Sequence, residues 1–271
     1  MDEKELKEFY KKTFNTVATG YDSSAMRFFT ESAGKIPSHL NLKGDEHVLD
    51  VATGTGNIAL SLCQHLPEGH VTGIDLSEGM LAEALKKMQE GNIRNVTFHE
   101  MDMQAIDFPD SFFDLGVSAF SLFFVTDMEK QLQHIAQKIK KGGQILITTF
   151  YDDSFSPLVN IFFADLERYG VQVPNIAWKR VATRKQCMDL FGKAGLSNIS
   201  CHQVESGYYL QSPSDWWYIV WNGGFRGLVN QVAPQNQDRF KKEHLEKIEK
   251  LATDDGLWLE MSILYTIGTR N

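Results

Sequence analysis

Strand-like runs alternate with helical patterns through the middle of the chain, and this alternation limits the possible folds more than any other feature. A repeated order of strand, helix and strand predicts a parallel sheet wound by crossover helices. Five such strands predict a doubly wound α/β core over residues 42–150. The predicted strands are HVLDVAT, HVTGID, VTFHEMD, FDLGVSAF and QILITTF.

The helices between these strands are predicted from apolar spacing and from end signals. Apolar residues at every fourth position from Ile58 predict the first helix. Ser77 is placed to cap the second helix, and Gly91 is placed to end it. A third helix is predicted to begin near residue 127 and to reach the Lys-Gly-Gly at 141–143.

Two regions of different character flank the predicted core. Residues 1–41 are predicted to be helical and contain several aromatic residues. Residues 151–271 combine aromatic-rich helical patterns with two strand candidates, NISCHQVESGYYL and LWLEMSILYTIGTR. We expect one compact domain, with an N-terminal helical cap over 1–41, a core over 42–150, and a helical lid with closing strands of the same sheet over 151–271.

Composition argues against several classes of function. The formal net charge of -8 disfavours nucleic acid as a partner, because phosphate backbones bind clustered Lys and Arg. No stretch is long and apolar enough to be an integral membrane segment and the first residues do not resemble a secretory signal, so a cytoplasmic protein is expected. Cys63, Cys187 and Cys201 are far apart and the histidines lack metal-binding spacing, so neither a disulfide framework nor a metal is expected.

The first predicted strand runs into a glycine loop in VLDVATGTGN, residues 48–57. Glycine lets a ligand approach the backbone closely, and the following helix presents free N–H groups to a negative group. The spacing Gly54-x-Gly56-x-x-Ala59 also satisfies the dinucleotide pattern, and Asp75 lies where a carboxylate would bind a ribose. The loop alone therefore predicts a nucleotide-like ligand without choosing between classes.

Acidic residues at the ends of three predicted strands narrow this choice. Asp50 directly precedes the loop, where it would repel a pyrophosphate and attract an ammonium group. Asp75 can bind ribose hydroxyls, and Asp102 can accept a hydrogen bond from an exocyclic amine such as that of adenine. Any one such aspartate can simply cap a turn. Together the three predict an adenosine joined to an amino acid, as in S-adenosylmethionine.

Four stretches of the core are similar to the motifs of a known family: VLDVATGTGN, VTGIDLSEGML, HEMDMQAIDFPDSFFDLGVS and IKKGGQILITTF. They resemble the class I S-adenosylmethionine-dependent methyltransferases, in particular the small-molecule group that includes the ubiquinone and menaquinone methyltransferases. The resemblance covers residues 42–150, and TFNTVATGYD resembles the entry helix of that group. It implies a Rossmann-like, mostly parallel seven-stranded sheet with N-terminal helices and a helical C-terminal insertion that forms a lid.

The resemblance also implies which residues bind the cofactor, S-adenosylmethionine. It places Asp50 and the glycine loop at the methionine portion, Asp75 at the ribose and Asp102 at the adenine. It places Tyr21 as a cover over the cofactor. The implied cofactor-binding residues are Tyr21, Asp50, Ala52, Gly54, Gly56, Asn57, Asp75, Leu76, Met80, Asp102, Met103, Ser118, Ala119 and Phe120.

The substrate site is predicted where the N-terminal helices and the lid meet above the strand ends. Aromatic faces there can hold a flat acceptor and favour a sulfonium by about 0.5 to 2 kcal/mol per ring, although such rings also pack lids. The predicted substrate-binding residues are Phe28, Phe123, Phe124, Trp178, Tyr208 and Trp217. His202, Tyr208, Tyr209 and His99 are candidate general bases, and none is assigned a catalytic role.

Two departures from the family pattern bear on the reaction. Ala52 replaces the first glycine of D-x-G-x-G-x-G, and Phe123-Phe124 stands where the quinone enzymes tend to carry a His pair. We therefore predict methyl transfer to an O or N atom of a small, aromatic or apolar metabolite, with C-methylation of a quinone precursor as the alternative.

Two other classes of function are open on the sequence. A nicotinamide oxidoreductase fits the glycine loop but not Asp50, and the chain contains no Tyr-x-x-x-Lys pair. A module that binds the cofactor without catalysis would keep the binding residues beside a filled substrate pocket. The sequence does not distinguish a monomer from a homodimer.

Overall fold

A computed structural model describes residues 3–173 and 176–271 of the chain. Seven strands form one sheet in the order β3-β2-β1-β4-β5-β9-β6, and two short strands, β7 and β8, pair separately. The strands are β1 His47–Val51, β2 His70–Asp75, β3 Val96–Glu100, β4 Phe113–Ala119, β5 Ile139–Phe150, β6 Leu196–Glu205, β7 Tyr208–Leu210, β8 Leu257–Leu259 and β9 Ser262–Arg270.

The direction of the strands confirms the predicted doubly wound, mostly parallel sheet. β1 pairs in parallel with β2 and β4, and β2 with β3 and β4 with β5 are also parallel. β9 is antiparallel to both β5 and β6. Because β1 lies between β2 and β4, the loop that follows it opens at the carboxyl edge where ligands bind in such sheets.

Ten α-helices accompany the strands in the described part of the chain. The predicted cap contains the first two, and the predicted lid contains the last five. The helices are α1 Glu3–Val17, α2 Phe28–Lys35, α3 Asn57–Leu62, α4 Glu78–Glu90, α5 Met128–Lys138, α6 Leu158–Arg168, α7 Arg184–Lys193, α8 Pro213–Asn222, α9 Arg226–Val229 and α10 Gln237–Glu249.

Local signals placed several helix ends correctly. The Ser77 hydroxyl accepts a hydrogen bond from the Met80 amide at 3.1 Å, so it caps α4 as predicted, and Gly91 follows the last residue of that helix. The third predicted helix is shorter than its pattern suggested. The chain turns extended at Ile139, and the Lys-Gly-Gly at 141–143 forms an irregularity inside β5 instead of a helix end.

Each strand candidate of the C-terminal region divides into two strands. The first supplies β6 and β7, and the second supplies β8 and β9. Only β6 and β9 join the main sheet, since β7 pairs with β8 alone. The seven-stranded sheet is confirmed, whereas the division of the chain into cap, core and lid stays a prediction.

Apolar side chains cover both faces of the sheet. Val48 points into a large cluster with α2, α3 and the lid, and its neighbour Leu49 points to the opposite face, where Leu132 of α5 and Phe191 of α7 pack. This alternation is what a strand buried on both faces requires. Across residues 3–173 and 176–271, no helix is long and apolar enough to cross a bilayer and no cluster of side chains could hold a metal ion.

Candidate functional site

A cleft opens at the carboxyl ends of β1, β2 and β4, beneath helix α1. Its open space, including solvent at the mouth, amounts to about 830 Å³. Four segments supply most of its lining: the glycine loop, the end of β2, residues 101–104 and the end of β4. The lining residues are Lys7, Tyr10, Lys11, Phe14, Tyr21, Ala52, Gly54, Asp75, Leu76, Ser77, Met80, Met101, Asp102, Met103, Gln104, Ala119, Phe120, Ser121, Phe124 and Val125.

The glycine loop reaches the cleft through left-handed backbone. Ala52, Gly54 and Gly56 have φ angles of 56°, 56° and 79°. Glycine adopts such angles without strain, but an alanine there costs roughly 1–2 kcal/mol. Ala52 thus occupies a position whose geometry suits the glycine of the family pattern. Phe120, the first residue after β4, is also left-handed, with φ 51°, and lines the same cleft.

Asp75 ends β2 and binds the glycine loop from the side. Its carboxylate accepts hydrogen bonds from the backbone amides of Gly54 and Ser77, each at 2.8 Å. Burial raises the pKa of Asp75 even though these amides favour the charged form. The side chain lines the cleft and still has lone pairs available to a ligand.

Asp50 lies beneath the loop and outside the lining of the cleft. It is fully buried, and one carboxylate oxygen, Oδ2, accepts a hydrogen bond from the Thr53 hydroxyl at 2.5 Å. Its other oxygen, Oδ1, forms no hydrogen bond of regular geometry with the described residues, although the nearby Ala59 amide favours the charged form of this carboxylate. Burial raises the pKa of Asp50 to about 7, and the nearby charge of Asp75 adds to this effect. A buried acceptor without a partner is costly, so this oxygen suits a donor that a ligand or a water brings.

Asp102 lies two residues beyond β3 and is engaged by helix α1. Its Oδ2 forms an ion pair with Lys7 at 2.8 Å, and its Oδ1 accepts a hydrogen bond from the Gln104 amide at 2.8 Å. Lys11 forms a second ion pair from the same helix with Glu100, at 2.7 Å. Helix α1 therefore closes the end of the cleft where the adenine is predicted to bind.

Tyr21 closes the opposite side of the cleft. Its ring stacks on Phe29 with a centroid distance of 4.8 Å, and burial raises the pKa of its hydroxyl. Asn57, predicted to lie at the methionine portion, is not part of the lining and instead donates to Asp22 at 2.7 Å. Gly56 likewise lies behind the loop, against Ala84 and Phe98.

The end of β4 supplies the wall between the cleft and the aromatic interior. Ala119 and Phe120 line the cleft, whereas Ser118 is buried and donates its hydroxyl proton to the Val51 carbonyl at 2.9 Å. The Phe120 ring stacks on Phe150 at 4.5 Å. A ligand at this wall would meet one face of the aromatic interior.

One of the predicted substrate-binding residues lies in the cleft. Phe124 lines it and contacts the Tyr10 ring at 4.6 Å between centroids. The others lie elsewhere, because large rings in this region mostly pack against one another. Phe28, Phe123, Trp178 and Tyr208 belong to the main apolar cluster, and Trp217 lines a separate surface groove between α8 and α10. Their substrate role stays a prediction.

None of the four candidate bases lines this cleft. Tyr208 donates its hydroxyl to the Ala25 carbonyl at 2.7 Å, and Tyr209 is exposed and in edge contact with a tryptophan. His202 lies on β6 beside His39, and His99 lies on β3 beside Phe108. Sequence reasoning instead missed Lys7, Tyr10, Lys11, Phe14, Ser77, Met101, Gln104, Ser121 and Val125.

Spacing within α1 could have found some of the missed residues. Lys7, Tyr10, Lys11 and Phe14 recur at intervals of three or four, so they lie on one helical face. That pattern shows which residues share a face but not what the face covers. The missing information is the position of α1 over the strand ends.

The glycine-loop side of the cleft is acidic. Neither Asp50 nor Asp75 forms an ion pair with any residue in the described ranges. The two lysines that line the cleft lie at its other end, each paired with its own carboxylate. This distribution favours a ligand that brings positive charge to the glycine loop and disfavours a pyrophosphate.

Comparison with known proteins agrees with this geometry. Residues 48–143 match the model of a family described as a methyltransferase domain. The match begins in β1 and ends in β5, so it contains the glycine loop and all three strand-end acids.

Two relatives act on different atoms. The chain is 36% identical over 182 residues to a ubiquinone/menaquinone biosynthesis C-methyltransferase of Francisella tularensis subsp. novicida, covering 61% of this chain and 72% of that one. It is 26% identical over 213 residues to a malonyl-[acyl-carrier protein] O-methyltransferase of a Paenibacillus species, covering 76% and 77%. The comparisons therefore agree on methyl transfer and not on the acceptor.

A solved structure shares the fold. A phosphoethanolamine N-methyltransferase of Haemonchus contortus, determined with phosphomonomethylethanolamine and S-adenosylhomocysteine, superposes with a TM-score of 0.58 at 17% identity. The superposition covers 98% of this chain and 60% of that one. At this identity the likeness establishes the fold alone.

Proposed function

Because the chain belongs to the S-adenosylmethionine-dependent methyltransferases, we propose that it methylates an oxygen or nitrogen atom of a small, apolar or aromatic metabolite. The enzyme class and the cofactor follow from the family. The acceptor and the roles of individual residues are our proposal, and they depend on the geometry of the cleft beneath α1.

The distribution of charge carries the proposal. Two carboxylates flank the glycine loop, the fully buried Asp50 and the partly buried Asp75, and desolvation raises the pKa of both. A cation nearby stabilises their charged forms and offsets the cost of burying them. S-adenosylmethionine has both an ammonium and a sulfonium group, whereas a dinucleotide would bring a pyrophosphate to the same loop.

The residues present fit this cofactor. Ala52, Gly54 and Asp75 line the cleft. Asp75 would accept hydrogen bonds from the ribose hydroxyls, and the loop from Ala52 to Gly54 would lie beside the amino-acid portion. Asp50 would act from behind the loop, through the ammonium or a bridging water, since its Oδ1 has no regular partner among the described residues. Leu76 and Met80 offer apolar contact to the base, with Asp102 and Met103 at its edge.

The bound cofactor supplies a methyl group that its sulfonium already activates. The protein therefore has to orient the acceptor in line with the methyl group and exclude water, and such orientation can contribute about 7 to 11 kcal/mol. Tyr21 and Phe120 line the side of the cleft next to the end of β4, and Phe29 packs against both rings from behind. These rings exclude water and favour an apolar or aromatic acceptor.

None of the four candidate bases lines the cleft. The cleft therefore suits acceptors that do not need a base to remove a proton. Tyr10 and Tyr21 have hydroxyl groups there, but burial raises the pKa of both, so neither is suited to accept a proton near neutral pH. An acceptor that is already nucleophilic, such as a neutral amine or an acidic hydroxyl, needs no such base. Phe123 and Phe124 replace the His pair of the quinone enzymes, which favours O or N over carbon as the atom methylated.

Incubation with methyl-labelled S-adenosylmethionine and a small-molecule cell extract tests this proposal. We expect one small apolar or aromatic compound to acquire the label and to gain the mass of one CH₂ group. Fragmentation by mass spectrometry then shows whether the methyl group is on oxygen, nitrogen or carbon. Label found only on a quinone ring carbon, or on a polar charged metabolite, would contradict the proposed acceptor while leaving the enzyme class intact.

A further inference from the structure

The segment before α2 holds Tyr21 over the cleft, and we call residues 18–22 the entry segment. It begins with one turn of 3₁₀ helix at Ala18–Gly20 and ends at Asp22. Tyr21 lines the cleft, but Asp22 does not. Contacts on both sides of Tyr21 keep this short segment in the position that closes the cleft.

The Asp22 carboxylate joins the entry segment to the glycine loop and to α4. Its Oδ1 accepts hydrogen bonds from the Thr55 hydroxyl at 2.9 Å and from the Asn57 side-chain amide at 2.7 Å. Its Oδ2 forms an ion pair with Lys87 at 2.8 Å. Lys87 also donates to the Asn57 side-chain oxygen at 2.8 Å, which closes a ring of polar contacts.

Helix α8 holds the same segment from the other side. The Tyr218 hydroxyl donates to the Gly20 carbonyl at 3.1 Å. A Cβ atom added at Gly20 would lie 2.6 Å from the Asn222 side-chain oxygen, so the backbone here is close against the helix. Tyr21 is therefore fixed between two anchors, one on each neighbouring residue.

The polar anchor also suits the electrostatics of the cleft. Asp50 and Asp75 already place negative charge at the glycine loop, and a further unpaired carboxylate would add to it. Lys87 balances the charge of Asp22 at 2.8 Å. The contact can therefore hold the entry segment without adding unbalanced negative charge beside Asp50 and Asp75.

We propose that Asp22 is a positioning residue for cofactor binding, acting by holding Tyr21 over the cleft. This role rests on the proposed function of the cleft. Asp22 itself does not line the cleft, so it would act through Tyr21 and not by contact with the cofactor. Asp22→Asn keeps the size of the side chain but replaces the carboxylate that pairs with Lys87 by a neutral amide. The entry segment is then held less firmly, and the cofactor dissociates more readily.

Calorimetric titration with S-adenosylhomocysteine tests this role. Asp22→Asn is expected to bind three- to tenfold more weakly than the wild type, and Lys87→Met to show a similar loss. Asp110→Asn is the matched control, since it breaks an ion pair of the same 2.8 Å length, with Lys138, away from the cleft. Its affinity should equal that of the wild type. Thermal melts confirm that every variant is folded.

A double-mutant cycle separates positioning from a purely structural role. In a Tyr21→Ala background, Asp22→Asn should cause no further loss of affinity, because its effect passes through the missing ring. Unchanged affinity in Asp22→Asn, unchanged affinity in Tyr21→Ala, or full additivity of the two losses would each overturn the inference. Failure of the wild type to bind S-adenosylhomocysteine would instead overturn the proposed function.

Discussion

The cleft and the predicted lid differ in how their buried acidic side chains are paired. At the cleft, Asp50 is fully buried and its Oδ1 has no regular partner among the described residues. In the lid, the buried Asp165 is paired: it bonds to His244 at 2.9 Å and forms an ion pair with Lys247, and His244 also accepts from the Trp216 indole at 2.8 Å. The unpaired acid thus lies where a ligand is proposed to bind, whereas the buried acid of the lid is part of a packed core.

This difference explains why aromatic content does not by itself locate a substrate site. Phe28, Trp178 and Trp216 are all less than a tenth exposed and contact other rings. Sequence alone shows that such rings are abundant but not whether they face a ligand or one another. A polar residue at a strand end is more informative, because its burial needs an explanation.

Trp216→Ala gives the largest expected effect and tests whether the lid is mainly structural. Trp216 is fully buried, so its truncation should lower the free energy of unfolding by about 3 to 5 kcal/mol. The affinity of the folded variant for S-adenosylhomocysteine should stay within about twofold of the wild type. Urea denaturation and calorimetry measure the two quantities.

Trp258→Ala is the matched control, since that indole is 42% exposed and its loss should cost far less stability. A Trp216→Ala variant that stays as stable as the wild type, or that loses cofactor affinity while folded, would remove the contrast between lid and cleft.

Asp50→Asn tests the cleft, where a buried carboxylate without a cation beside it is expected to lower the stability of the free protein. Burial raises the pKa of Asp50 from its usual value to about 7. The folded chain therefore binds more protons than the unfolded chain between pH about 4 and about 7, so this group makes the free energy of unfolding fall as pH rises through that window. Above that window the penalty is constant, because the carboxyl group is ionised in both the folded and the unfolded chain.

Asparagine does not titrate in this pH window. The Asp50→Asn variant should therefore be more stable than the wild type at pH 8, by about 2 to 4 kcal/mol in the free energy of unfolding. The advantage should shrink towards pH 4. Cofactor affinity should fall, because the ammonium loses its counter-charge. Equal pH profiles for the two proteins in urea denaturation would show that Asp50 does not carry this penalty.

Ala52→Gly gives the smallest expected effect and tests the strain in the glycine loop. Glycine adopts the observed φ of 56° freely, so the variant should gain about 1 kcal/mol in the free energy of unfolding. Asn92→Gly is the control, because Asn92 has a similar φ of 51° away from the cleft and asparagine tolerates it. Loss of stability in Ala52→Gly relative to that control would argue against strain at this position.

Sequence reasoning succeeded where the signal was local. The order of strands and helices, the Ser77 cap and the positions of Asp75 and Ala52 at the cleft all follow from short stretches of chain. It failed where distant segments meet. Lys7 engages Asp102 across 95 positions of sequence, and the β7–β8 pair joins residues near 209 and 258, so neither contact leaves a local pattern.

The boundary of one helix shows the same limit at short range. The helical spacing of apolar residues could not show that the chain becomes extended at Ile139, because this change depends on the pairing of Ile139 with Phe113 of β4. Tertiary pairing overrides a local preference there.

Calorimetric titration of the wild-type protein with S-adenosylhomocysteine and, separately, with NAD tests the central claim most directly. Saturable one-to-one binding of the adenosyl amino acid without binding of NAD is the expected result, and Asp75→Ala should weaken that binding at least tenfold, because charge-assisted hydrogen bonds contribute about 1.5 to 3 kcal/mol. Binding of NAD alone, or an affinity that the loss of Asp75 leaves unchanged, would contradict a cleft whose carboxylates serve a cationic cofactor.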